Sequence, residues 1–127
     1  MNRFFNQFYW SLVKGKTVLF GKVAIGAAGA PTLSAVNSKG IASMSRTAAG
    51  KYTITLQDKY VSFLGMQITP LLASGLPANI SFCVVSESVS SAKTVVIQCL
   101  DAAGAAVDPD SGQTIYFEIK LSSSTAQ

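Results

Sequence analysis

Histidine is absent from this chain of 127 residues. Its absence excludes Ser–His and Cys–His nucleophiles and every imidazole-based zinc site. Charge is scarce too. Charged residues make up 13% of the sequence, about half the ~25% typical of soluble domains. Among the six acids, Glu87 and Glu118 are the only glutamates. Nothing in the spacing brings them together for acid–base work on a sugar. The two cysteines are too few for a disulfide framework. Cys83 and Cys99 stand in apolar, strand-like runs, ISFCVV and VVIQCL. Two buried free thiols are expected, with one cross-strand bridge as the alternative. No run approaches the ~18 apolar residues of a membrane-spanning helix. At 49% hydrophobic residues and a net charge of +4, the composition is not that of a disordered chain.

The motifs that might carry chemistry fail on spacing. Asp108-Pro109-Asp110-Ser111-Gly112 resembles the start of a calcium loop, but glycine falls at position 5 and Ile119 where the closing Glu belongs. Asp-Pro and Ser-Gly are ordinary turn formers. Gly26-Ala27-Ala28-Gly29 and Lys14-Gly15-Lys16-Thr17 lack the rest of a phosphate-binding loop. No catalytic, cofactor-binding or metal-ligating residues are therefore assigned, and a non-enzymatic protein is expected.

What the sequence does contain is alternation of period two, the mark of a strand with one covered face. In Lys51–Gln57, Tyr52, Ile54 and Leu56 share one side. In Ile115–Leu121, Ile115, Phe117, Ile119 and Leu121 do the same. These side chains are the expected core. Thr17–Ile25 is a third strand, with Gly21 marking a bulge or bend. Ile41–Arg46 joins Lys51–Gln57 through a short Gly-containing turn, as in a hairpin. Asn79–Ser86 and Lys93–Leu100 form a second hairpin, apolar on both faces and expected at the centre of a sheet. Pro70 and Pro77 bracket Leu71–Gly75, a candidate helical turn. The pattern predicts an all-β fold, a compact antiparallel sandwich or barrel of about six to eight strands. Residues 16–122 form the domain, 1–15 an N-terminal arm and 123–127 a polar tail.

The arm carries Phe4, Phe5, Phe8, Tyr9 and Trp10, five of the chain's aromatics within seven residues. Phe5, Phe8, Tyr9 and Leu12 have the spacing of one helix face. Asn2, Asn6, Gln7 and Ser11 break the apolar run, and Lys14 and Lys16 follow it, so it does not read as a secretion signal. Either it covers its own domain or it inserts into a neighbouring chain, where aromatics dominate interface energetics. The second reading makes Phe4, Phe5, Phe8, Tyr9, Trp10 and Leu12 the partner-binding residues. Charge is lopsided. Residues 1–59 hold eight Lys or Arg against one acid, and residues 60–127 hold two Lys against five acids. This reads either as a solvated surface or as a basic face that meets an acidic partner; the basic residues stand singly, so nucleic acid is not an expected partner, and without a spanning apolar run neither is a membrane.

The segment Gly29–Gln57 resembles a pattern found in small bacteriophage structural proteins. The matching residues are Gly29, Pro31, Gly40, Ile41, Ser45, Arg46, Thr47, Gly50, Tyr52, Ile54 and Leu56, followed by Asp58 and Tyr60. The C-terminal third is similar to it as well. It has Val85-Ser86-Glu87, the turn from Asp101 through Gly104 to Asp108, Ser111-Gly112 and the closing Ile119-x-Leu121 strand. The resemblance implies a capsid decoration (cement) protein. Such a protein is made in the host bacterial cytoplasm and carried on the capsid surface of the virion. Its implied partners are the major capsid protein and copies of itself, a trimer suiting a local threefold site. It implies no cofactor. The alternative is a receptor- or glycan-binding module of a head fibre or tail.

Overall fold

A computed structural model describes residues 16–72 and 80–122 of the chain. Eight strands follow in order: β1 (Lys16–Ile25), β2 (Pro31–Leu33), β3 (Ile41–Ala48), β4 (Lys51–Leu56), β5 (Ser62–Leu71), β6 (Ser81–Ser88), β7 (Thr94–Leu100) and β8 (Thr114–Ser122). They make two four-stranded sheets, β2-β1-β8-β5 and β3-β4-β7-β6. All pairings are antiparallel. The fold is an all-β sandwich. No helix among the described residues is long and apolar enough to cross a membrane.

The central strands of each sheet supply the core. Leu19, Val23 and Ile25 of β1 and Ile115, Phe117, Ile119 and Leu121 of β8 turn inward from one sheet. Tyr52, Ile54 and Leu56 of β4 and Val95, Ile97 and Cys99 of β7 turn inward from the other. All are buried. The two alternating segments of the sequence are thus central strands, one in each sheet, and the core is the interlayer between them.

Three expectations change. Gly21 marks no bulge, because the β1–β8 register passes through it unbroken. It is glycine because the Phe117 ring lies on its backbone; a Cβ there would stand 2.3 Å from Cζ. Next, β6 is an edge strand, and only β7 is central. The apolar residues on both faces of β6 lie at an open margin, and Cys83 is exposed. Last, Leu71 ends a strand. The rest of the expected helical turn and the six partner-binding residues of the arm lie outside the described residues. Two strands, β2 and β5, had no counterpart in the sequence reading. In β5, Phe63 pairs with Leu121 and Met66 with Ile119, so an extra residue interrupts the alternation.

Candidate functional site

The densest polar cluster of the domain centres on Asp108, in the loop between β7 and β8. Its carboxylate accepts hydrogen bonds from Arg46 Nε at 2.9 Å and Nη2 at 2.8 Å. It also accepts the backbone N–H of Gly50 at 2.7 Å. Arg46 is on β3, and Gly50 is in the β3–β4 turn at φ +68°. A Cβ at Gly50 would stand 2.6 Å from the carbonyl oxygen of Val107, so both conformation and contact demand glycine. Tyr52, on β4, is fully buried and donates its hydroxyl to the carbonyl of Gly29 at 2.8 Å. Gly29 ends the short turn that follows β1. Cys99 N–H donates to Gly50 O and Val107 N–H to Cys99 O, at 2.7 and 3.0 Å. One carboxylate and one phenol therefore clamp three connections together at one end of the sandwich.

The electrostatics follow from this geometry. The hydrogen bond from Arg46 holds the Asp108 carboxyl below its ordinary value, and that from Gly50 adds to the effect. Burial pushes the Tyr52 phenol up to about 12, with the Asp108 charge adding to it. Burial also pushes the Cys99 thiol up to about 11. Each shift favours the form that the clamp or core requires. None of them readies a nucleophile or a general base near neutral pH. No group of three or more Cys, Asp or Glu positioned to hold a metal ion occurs among the described residues.

The surface that could meet a partner lies elsewhere. On the outer face of β1 and β8, Val18, Phe20 and Tyr116 are exposed. The Lys22 ammonium lies 5.8 Å from the centre of the Tyr116 ring, within cation–π reach. A second apolar region follows the flank where β5 and β6 border the two sheets. Val61, Leu64, Leu71, Val84 and Val85 are exposed there. Both cysteines are free thiols, Cys99 buried and Cys83 open to solvent on β6.

Sequence reasoning read Asp108 only as a turn former. The signal that could have found its role is the conjunction of an isolated Arg46, Gly50 and Tyr52 with a turn carrying a second Asp. It is invisible without the 62-residue separation being closed. Gly29, Arg46, Gly50, Tyr52 and Asp108 meet at this one clamp. No family model, no curated protein and no solved structure matches the chain.

Proposed function

We propose that this chain is a non-enzymatic virion structural protein. On this reading it is a capsid decoration protein that binds the outer surface of a phage shell and ties neighbouring major capsid subunits together. The observation that carries the proposal is the convergence of the pattern residues on the Asp108 clamp. The clamp fastens three connections of a β-sandwich, and a rigid scaffold suits a component of a shell.

The surface agrees with this role. It offers apolar patches on a sheet face and along a flank, with few charges, which is the material of packing between subunits. Phe4, Phe5, Phe8, Tyr9, Trp10 and Leu12 are the attachment residues in this scheme. A lattice amplifies weak contacts because each subunit bridges several neighbours, so a chain this small need not hold any one of them tightly. The test is to compare particles with and without the protein under heat or pressure. Particles lacking it are expected to rupture under milder conditions, with resistance restored by adding the purified chain to saturation. Equal resistance would favour the adhesion module of a head fibre or tail.

A further inference from the structure

Charge is scarce in this chain, but the fold gathers it on one face. Leu19 and Val23 of β1 and Phe117 and Ile119 of β8 are buried, so alternation turns Lys16, Val18, Phe20 and Lys22 to the outer face of their sheet. Register sets Lys120 beside Val18, Glu118 beside Phe20 and Tyr116 beside Lys22. Lys39 joins them from the far side, bridged to Phe20. Val18 and Phe20 are each 46% exposed, and Tyr116 39%. An apolar centre is thus ringed by four lysines and one acid, Glu118, which lies 3.8 Å from Lys120. The outer face of the other sheet differs. Its central register pairs are Lys51–Gln98, Thr53–Val96 and Thr55–Thr94. Among the described residues, Lys51 is the only charge on that face.

We propose that the outer face of β2-β1-β8-β5 docks on a protein surface that carries carboxylates around an apolar patch. Charge decides the occupant. A second copy of the same face would set lysines against lysines, which opposes association. The rest of this chain supplies no counter-charge to the face. Segments 1–15, 73–79 and 123–127 contain no Asp or Glu, and the first contains Arg3 and Lys14. Nucleic acid suits the face poorly. The lysines stand apart around exposed apolar side chains, Glu118 sits among them, and no arginine of the described residues joins them, whereas a phosphate track wants a continuous basic stripe. An apolar centre inside a charged rim is instead the anatomy of a protein–protein contact. The face is about 33 Å long and four strands wide, roughly 500 Å2. That is less than the ~800 Å2 per partner of a standard interface, so one contact is weak. Many copies on one lattice make it sufficient. The identity of the partner rests on the capsid reading, under which the acidic surface belongs to the shell.

Two probes test this. The first is an immobilised random Glu–Tyr copolymer, which supplies carboxylates and aromatics without any virion. The full chain is expected to bind it saturably, and more weakly as ionic strength rises. Lys22→Glu and Lys39→Glu, made singly, should each weaken binding about tenfold. Phe20→Ser should weaken it with no change of charge. Lys51→Glu makes the same change of charge on the opposite face and should leave binding nearly unchanged. Equal losses from Lys51→Glu and Lys22→Glu would overturn the proposal, since net charge alone would then explain them. Absence of saturable binding overturns it too, as does tighter binding to oligothymidylate or to phosphatidylglycerol vesicles. An oligomer of the full chain, seen by light scattering, that Phe20→Ser dissociates would make the face a self-contact, with the same consequence. The second probe is shells stripped of the chain, where the same order of variants is expected and equal binding of Lys22→Glu and the natural chain counts against the proposal. Shells that do not hold the natural chain, with the copolymer results intact, would sink the capsid reading and leave this one standing.

Discussion

Asp108 shows how much one side chain can fasten when its acceptors are all used. The bidentate pair with Arg46 fixes geometry as well as charge. Both side chains keep solvent contact, 34% for Arg46 and 24% for Asp108, so the ion pair itself contributes modestly. The larger loss on removing the carboxylate is the stranded N–H of the buried Gly50. Asp108→Ala, which leaves that N–H without an acceptor, is expected to cost about 1–3 kcal/mol at neutral pH, and Asp108→Asn, which keeps one acceptor oxygen, less. Its pH dependence has a definite sign. The folded carboxyl titrates below its unfolded value. Its contribution is therefore complete above about pH 4 and is lost as pH falls through the lower, folded value. Urea midpoints measured from neutral to acid pH should fall less steeply for Asp108→Asn than for the natural chain. Parallel curves would show that the pair is not felt.

Gly21 makes the complementary point about space. Gly21→Ala drives a methyl into the Phe117 ring, and overpacking of this kind costs about 1–3 kcal/mol. Phe117→Leu, although it loses core volume alone, should restore part of the loss in the double variant. Thermal melts of the four chains in the cycle check this, and additive effects would mean that the ring and the glycine do not oppose each other.

At the scale of elements, central and edge strands of like composition behave differently. β7 has β4 on one side and β6 on the other. β6 has a partner on one side only, and its pairing with β7 shifts between Val84 and Ser86. That bulge twists an edge away from further pairing. Cys83 is reachable because it pairs with Gln98 on the outer face of the sheet, while Cys99, one strand inward, is fully buried with its thiol pushed up to about 11. Alkylation of the native protein should add one label, at Cys83, and alkylation after unfolding should add two. Two labels on the native chain at equal rates would contradict the depth assigned to Cys99. The same contrast holds between β5 and β8. Ile119 and Met66 are register partners, yet one is fully buried and the other half-open. Ile119→Ala is expected to cost about 2–5 kcal/mol, and Met66→Ala clearly less in the isolated chain. Equal losses in chemical denaturation would mean that the flank is already covered.

For the whole molecule, the interlayer between β1/β8 and β4/β7 was legible in the sequence, and the periphery was not. Tyr52, Ile54, Leu56, Ile115, Phe117, Ile119 and Leu121 announce themselves because central strands of a sandwich bury one face, and a strand alternates its faces with a strict period of two. That local rule determined the class, the hairpin between β3 and β4 and most of the core. Tertiary structure alone decided what lay beyond it. β5 was hidden because one bulged residue shifts its phase, and Pro70 is tolerated there because the strand is an edge. Whether an apolar strand is central or marginal depends on which strands pair with it, and pairing is a long-range choice absent from local pattern. The clamp joins Gly29, Gly50 and Asp108, from three separate connections, with Arg46 of β3 and Tyr52 of β4. β5 and β6 share one margin only because both end their sheets on the same side. Periodicity reports how a residue faces its own strand; loop closure and sheet order decide what, if anything, stands opposite it.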